Sequence, residues 1–535
     1  MSNSPRPDTA KARNAGKALA YAANAQAVDR EAAAWGLRPY ALVEAAGRLC
    51  AQQFIKAFPR YGGKECSHNG NSPVVRVLAG SGNNAADALV MLRTLAVMRN
   101  IEAQRARVIF TKVPAAQEHT PLSDAFLSIQ KLGIPVCAWD SDSTECLNQA
   151  DIIIDGIAGT GLQGALHGTA REMAEAVNSL KANGAYALVV SIDIPSGNFD
   201  GWKPGMPLIN ADATLAIEPE KLCLYTPAAR PSAGRVIPVR GLFPPALIDR
   251  CRDAALLDWN ASSPLIAPLA PDAYKHRRGV VEIWAGSPGA SGAAMLAARG
   301  AQAAGAGLVR LIADPSVYPA LAPGAGGVMV AESADPERFQ PHAVLAGPGW
   351  GRGQDRIKLL EKFLPLEAQG IPLILDADAI ALSRDIAFNG NALLTPHPAE
   401  FAAYTGLPRQ DILSDPIPIL TDFVIKKNVS ILLKGHVLYI ASPAQSNSVR
   451  IGVIDGMNPA LAAGGSGDVL AGFCAAIAGR MYAEGALDLF SCAAAAGSLL
   501  QEAGQSEQVK RRFADPLELA YAAAGIAGKA WIREQ

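Results

Sequence analysis

The segment richest in chemistry is Ala462-Ala463-Gly464-Gly465-Ser466-Gly467-Asp468, which runs directly into the apolar, helix-length stretch VLAGFCAAIAG. A glycine-rich turn that opens a helix aims several N–H groups at one point. The helix dipole adds positive potential there, so an anion such as a phosphoryl group can be held without a lysine. Asp468 falls in the first turn of that helix, where its carboxylate could take the proton of an attacking hydroxyl. An N-cap aspartate after a flexible loop is the alternative reading of the same residues.

Four more segments supply parts that phosphoryl transfer needs. Leu432-Leu433-Lys434-Gly435-His436 ends a strand with a lysine and a glycine, suited to the phosphates of a nucleotide. Ala346-Gly347-Pro348-Gly349-Trp350-Gly351 follows another strand, and its glycines permit close approach of a ligand to the main chain. Leu375-Asp376-Ala377-Asp378-Ala379 and Thr395-Pro396-His397-Pro398-Ala399-Glu400 also close strands, and the C-terminal ends of strands are where open α/β sheets bind ligands.

The first half has its own set. Val75–Ala79 leads into Gly80-Ser81-Gly82-Asn83-Asn84-Ala85-Ala86-Asp87, a turn that could present N–H groups to a pyrophosphate while an Asn carbonyl coordinates a monovalent cation. Farther on, DIIID ends at Asp155 and runs into Gly159-Thr160-Gly161-Leu162-Gln163-Gly164, which formally satisfies G-x-G-x-x-G. A dehydrogenase fingerprint wants its first glycine directly off the opening strand and an acidic residue about 20 residues later. Here other βα units come first and the next strand closes only at Asp193, so a dehydrogenase is disfavoured. Asp193 itself precedes Ile194-Pro195-Ser196-Gly197, a carboxylate at a strand end placed for acid–base work or for an Asx turn.

The elements that must position these loops read as α/β in both halves. Short Val/Ile/Leu runs alternate with Ala-rich helical stretches, the pattern of a parallel sheet covered on both faces. The expected strands are Val74–Ala79, Ala106–Phe110, Ile152–Asp155 and Ala187–Ile192, then Val280–Ala285, Leu308–Ala313, Ala343–Ala346, Leu373–Asp376, Ala392–Thr395 and Ser430–Lys434. Proline concentrates in Gly241–Pro271 and places a boundary near Arg250, giving domains 1–250 and 251–535. A chain of 535 residues, half of them hydrophobic, can bury two cores. With 48 Lys+Arg against 49 Asp+Glu it has no basic field for nucleic acid or anionic lipid. The 8 cysteines form no C-x-x-C pair, His is scarce, and neither the polar MSNSPRPDTAKARNAGKALAYAANAQ start nor any later stretch is apolar enough to be a signal or a span. A cytoplasmic protein with reduced thiols, acting on small molecules and not on nucleic acid or membrane, is expected.

With these residues in view, the second half resembles the ribokinase-like, ADP- or ATP-dependent NAD(P)H-hydrate dehydratases. AGSPGASGAAMLAARGAQAAGAGLV (Ala285–Val309), AGPGWG, LDADAI, LTPHPAEF, LLKG and GMNPALAAGGSGDVLAG match that family's elements in order across most of Ala270–Arg512. The resemblance implies a ribokinase-like α/β/α fold, Asp468 as the catalytic residue, and Lys434, Gly435, His436, Val437 and Leu438 with Gly467 around the nucleotide. It implies Ala293, Gly349 and His397 around the hydrated cofactor, and Mg²⁺ with ADP. The backbone of Gly464, Gly465, Ser466 and Gly467 would stabilise the transferring group. Ser466 stands where threonine is usual, and SPGASG lacks the tyrosine often found there.

The first half, over Ala20–Leu242, resembles the Rossmann-like NAD(P)H-hydrate epimerase domain through AVDREAAAWGLRPYALVEAAG (Ala27–Gly47) and the three motifs above. The resemblance implies cofactor contacts from Asn83, Asn84, Ala85, Ala86 and Asp87, from Gly159, Thr160, Gly161, Leu162, Gln163, Gly164 and Ala165, and from Asp193, the proton carrier. It also implies potassium ligands Asn84, Asp155 and Ser196. Departures are Ala85-Ala86 for the usual Gly-Gly, Ala88 for glycine, and QGALHG without a basic residue. If Ala85 and Ala86 had positive φ, their methyls would crowd a pyrophosphate.

Together the two resemblances imply one bifunctional enzyme that repairs hydrated NADH and NADPH, epimerising the R and S hydrates and dehydrating the S hydrate as ADP becomes AMP and phosphate. A homo-oligomer is expected. The competing readings are a ribokinase-like kinase for a sugar or vitamin precursor, and a first half reduced to a non-catalytic binding module.

Overall fold

The protein is described by a computed structural model over residues 16–61, 72–98, 100–115, 120–332, 340–506, 509–510 and 513–532. Most of the polar N-terminal stretch and the Arg512 end of the dehydratase-like region lie outside the described residues. Two compact units divide the chain, Ala18–Asp253 and a second that joins Met1–Lys17 to Ala254–Gln535.

The first unit is built on a fully parallel sheet. Its strand order is Val136–Ala138, Ala106–Phe110, Val75–Ala79, Ile152–Gly156, Leu188–Ile192, Ala213–Ile217 and Arg235–Val239. The chain runs outward to one side from Val75–Ala79, then returns to add Ile152–Gly156 on its other side. Those two adjacent strands therefore form the topological switch point, where helices leave in opposite directions and a crevice opens beyond the strand ends. Gly80 and Ile157 lie across this crevice. A Cβ on Gly80 would stand 1.9 Å from the Ile157 carbonyl oxygen, so only glycine lets the two turns come this close.

The second unit repeats the device. Leu308–Ile312 and Met329–Ala331 lie to one side of Val280–Trp284, and Ala343–Ala346, Leu373–Leu375, Ala392–Leu394 and Ser430–Leu433 to the other, all parallel. The sheet then departs from the expected all-parallel pattern: Val437–Pro443 pairs antiparallel with Ser430–Leu433 and with Val449–Asp455. Lys434-Gly435-His436 is consequently the turn between two antiparallel strands and does not lead into a helix. The proline-rich Gly241–Pro271 also holds more than a linker, with a helix at Pro245–Arg250 and a strand at Ala254–Leu256 that pairs parallel with Val449–Asp455.

Alanine and glycine dominate the packing of the helix Ser291–Ala303 on the helix Ser466–Ala483. A Cβ on Gly300 would come within 2.4 Å of the Val469 carbonyl oxygen, and one on Gly472 within 2.1 Å of that of Ala297. Small residues at the crossing let the two backbones nearly touch, which seats the Asp468 end of one helix beside the Ala293 end of the other. Both helices contribute to a core of the second unit that includes Val281, Ile283, Leu345, Ile374, Leu432 and Phe473.

Candidate active sites

In the second unit the strand ends converge as the sequence implies. Asp376 follows Leu373–Leu375 and is 1% exposed; its Oδ1 accepts from Lys434 Nζ at 2.6 Å and from Thr395 Oγ1 at 2.7 Å. Lys434 in turn lies against the glycine turn, since a Cβ on Gly467 would be 3.3 Å from its Nζ. Burial works against the lysine's charge, but the Asp376 carboxylate, with Glu400 and Asp468 behind it, outweighs that and holds the ammonium above its usual range. Asp468, half-buried in the first turn of its helix, is pushed up to about 7, first by burial and then by the Asp376 charge; Glu400 adds to this and Lys434 opposes it.

Around this centre, Gly464 has open space beside it, while Gly465 adopts φ +101° against Leu296 and Pro516. The Ser466 hydroxyl donates to the carbonyls of Leu461 and Ala463, both at 3.0 Å, so it shapes the turn. Gly349, at φ +54°, packs on Ala290 and Ala293, whose Cβ would lie 3.2 Å from a Cβ on the glycine. His397 caps the helix Pro398–Thr405: its Nδ1 accepts from the Ala399 and Glu400 N–H groups, and its own N–H donates to Glu400 Oε2. Its Nε2 end remains half-exposed, 3.4 Å from Glu400 Oε1. Val437 and Leu438 are buried, leaving the exposed Gly435 and His436 as the open part of the hairpin.

In the first unit a cavity of about 700 Å³ opens at the switch point. Its walls include Asn83, Asn84 and Asp87, the turn Gly159–Leu162, and Asp193. Gln163, Gly164 and Ala165 lie on the exposed continuation of that turn, outside the walls. Ala85 and Ala86 are fully buried and helical, within Asn83–Val97, so their methyls enter the core and not the cavity. Ala88 is fully buried, and a Cβ on Gly156 of the facing strand would come within 2.6 Å of its own.

Asp155 is fully buried and accepts from the Ser196 N–H and hydroxyl, the Ser191 hydroxyl and the Ile157 N–H. Burial raises its carboxyl and those hydrogen bonds hold the rise in check. Beside it, Asn84 Nδ2 donates to the Ala158 carbonyl, as does the Ser196 hydroxyl, while Asn84 Oδ1 is buried with no hydrogen-bond partner among the described residues. That oxygen needs a cation or a donor.

Three residues had not been singled out from the sequence. Lys221, nearly buried, donates from Nζ to Asp193 Oδ1 at 2.7 Å and to the Ile217 carbonyl at 2.9 Å. Asp29, on the helix Ala22–Ala32, lines the cavity, and Gln26 of the same helix donates to the Thr160 carbonyl at 2.7 Å. Lys221 follows the strand Ala213–Ile217, so its place after a strand end was the one available signal. Among the described residues no group of three or more His, Cys, Asp or Glu side chains could hold a metal ion, and no helix is long and apolar enough to cross a membrane.

Each unit is thus a doubly wound α/β unit with a buried carboxyl–lysine pair, Asp193–Lys221 or Asp376–Lys434, beyond its strand ends, the edge at which open α/β sheets bind small molecules. A family model described as NAD(P)H-hydrate dehydratase matches residues 281–522, and one described as YjeF-related protein N-terminus matches residues 39–223. The bifunctional NAD(P)H-hydrate repair enzyme Nnr of Escherichia coli (strain K12) is 30% identical over 478 residues, 86% of this chain and 85% of that one. The enzyme of the same name from Moorella thermoacetica is 30% identical over 473 residues, 82% and 84% of the two chains. Among solved structures, an ADP/ATP-dependent NAD(P)H-hydrate dehydratase from Bacillus subtilis, co-crystallized with ATP/Mg²⁺, covers 51% of this chain and 99% of its own at 22% identity and a TM-score of 0.45. The chain belongs to the bifunctional NAD(P)H-hydrate repair enzymes, with a dehydratase domain and an epimerase domain.

Proposed function

We propose that the second unit uses Asp468 as the general base that lets the ring hydroxyl of the S hydrate of NADH or NADPH attack the terminal phosphoryl group of ADP. The observation that carries this is the Asp468 carboxyl, raised to about 7 at the mouth of a glycine-rich helix N-terminus, since a base is most effective when its pKa lies near the working pH. The Gly464–Gly467 backbone would stabilise charge on the transferring oxygens, and Lys434, held by Asp376, would face the nucleotide's phosphates. Phosphorylation turns the hydroxyl into a good leaving group; the ring-nitrogen lone pair expels it as phosphate, and the iminium so formed loses a proton from the adjacent ring carbon to restore the dihydronicotinamide. Ala293, Gly349 and His397 would border the hydrate. Mg²⁺ would be held chiefly by the nucleotide's own phosphates, for the described residues offer no carboxylate cage.

The first unit would interconvert the R and S hydrates in the cavity bordered by Asn83, Asn84, Asp87, Gly159–Leu162 and Asp193. The unpartnered Asn84 Oδ1 fits a monovalent cation such as K⁺, with Asp155 and Ser196 beside it; when bound, that cation would add positive charge to the crevice. The experiment is to incubate the chain with hydrated NADH and ADP and follow absorbance at the dihydronicotinamide band. Recovery that depends on ADP supports the reading. No recovery above the nucleotide-free control would sink it and return the kinase alternative.

A further inference from the structure

We propose that Asp87 and Asp193 form the acid–base pair of the first unit's cavity, Asp87 protonating the departing ring hydroxyl on one face and Asp193 deprotonating the water that returns on the other. The inference rests on the epimerase reading of that cavity and assigns its chemistry. Epimerising a carbon that carries both a hydroxyl and a ring nitrogen needs no oxidant. The C–O bond breaks as the hydroxyl takes a proton and leaves as water, and the nitrogen lone pair forms the C=N bond. A water then adds to the opposite face and gives up one proton, so atoms and electrons balance. The net change within the protein is one proton moved from Asp87 to Asp193, reset by exchange with solvent.

Such a reaction needs two carboxyl groups in opposite protonation states in one cavity, and the two environments here differ in that sense. Asp193 is paired with a lysine. Its Oδ1 is 2.7 Å from Lys221 Nζ and also accepts from the Ile217 N–H at 3.3 Å. It is held at φ +63°, a conformation few non-glycine residues adopt, so the strand end spends backbone strain to aim this side chain. Among the described residues Asp87 has no cationic partner in contact. It is 8% exposed, its Oδ1 is buried with no hydrogen bond among the described residues, and it forms part of the cavity wall. Burial pushes its carboxyl well above the usual range; the charges of Asp193 and Asp29 act the same way, against Lys221. Asp193 takes the lysine's hydrogen bond, which leaves Asp87 as the carboxyl that burial and its neighbours' charge push toward the protonated form. An unpaired, buried carboxylic acid that keeps its proton is a donor waiting for an acceptor.

The test uses the full chain in potassium buffer, supplied with R hydrate and no nucleotide, with the epimers followed by chromatography. Asp87→Asn preserves the size and neutrality of the protonated acid but has no proton to release. The expected result is a fall in kcat of about 10²- to 10⁴-fold, with the dissociation constant for unhydrated NADH and the thermal midpoint close to wild type. Asp87→Asn turning over at more than a tenth of the wild-type rate overturns the assignment. A second measurement does not depend on any variant folding: in H₂¹⁸O each wild-type epimerisation should place one labelled oxygen on the ring. Epimerisation that retains the original oxygen refutes the elimination and re-addition. Wild-type equilibration no faster than the spontaneous rate would instead overturn the epimerase reading itself.

Discussion

Replacing Asp468 by asparagine should make the second unit more stable and nearly inactive at the same time. The carboxyl stands at about 7 against an ordinary 3.8. At about 1.4 kcal/mol per pH unit, the folded chain disfavours the ionised form by roughly 4 kcal/mol. The folded state holds this proton more tightly than the unfolded state does. The group's contribution to stability is therefore complete below about pH 4 and is lost as the pH climbs through about 7. Asparagine has no proton to lose, so relative to wild type the variant gains across that window and reaches its full advantage near pH 8. Water entering the half-buried site reduces the upper bound, and ~2 kcal/mol would raise the midpoint of this unit by about 4–8 °C. The assay is calorimetry of both chains from pH 5 to pH 8, beside ADP-dependent recovery of NADH, which should fall about 10²- to 10⁴-fold. A difference in midpoint that does not grow with pH, or a variant that keeps its turnover, would refute the argument that burial and Asp376 tune this carboxyl.

Lys434→Ala should weaken nucleotide binding more than NADH binding in calorimetric titration, and should cost about 3–5 kcal/mol of stability because it strands the buried Asp376 carboxylate. Adding Asp376→Asn should recover part of that loss. Epimerisation should rise with K⁺, and Asn84→Ala should abolish the K⁺ dependence; a variant with an unchanged K⁺ titration would remove Asn84 from the cation site. Ala85→Gly, which restores the residue more usual in related domains, should lower stability by about 0.5–1 kcal/mol in a thermal melt without raising epimerase activity, because position 85 is helical and faces the core.

Much of both crevices was legible because the motifs fall where strands end. Five strands of the second unit were read one residue long at their C-terminal ends, and in three of them the extra residue was Asp376, Thr395 or Lys434, each of which begins a site loop. A polar residue closing an apolar run is visible in one dimension. The pairings were not: Lys434 reaches Asp376 across 58 positions and Lys221 reaches Asp193 across 28, and nothing local in either segment names its partner. The antiparallel strands Val437–Pro443 and Val449–Asp455 were missed because the strand–helix alternation breaks there: Ser430–Leu433, Val437–Pro443 and Val449–Asp455 follow one another through tight turns with no α-helix between them. His397 was read for its ring and turns out to cap a helix with it. Ala85 and Ala86 looked obstructive only under the assumption that the turn continues through them; the helix begins at Asn83, and from there a methyl is compatible with the backbone.

The two units arrive at the same arrangement of charge by different routes. Each buries a carboxylate–lysine pair at a strand end, Asp193 with Lys221 at 2.7 Å and Asp376 with Lys434 at 2.6 Å. Each then places a second carboxyl nearby, Asp87 or Asp468, whose proton is held by burial and by the charge of the paired aspartate. The lysine cannot serve both acids: the one in contact with it is salt-bridged as an anion, and that anion raises its neighbour. In both units the shifted carboxyl is the one that lacks the lysine contact. The difference lies in enclosure. Asp87 is almost wholly buried, and burial pushes its carboxyl well up, which suits a donor to a leaving hydroxyl. Asp468 sits half-open on a helix N-terminus and titrates near neutrality, which suits a base that must let go of its proton once the phosphoryl group has moved.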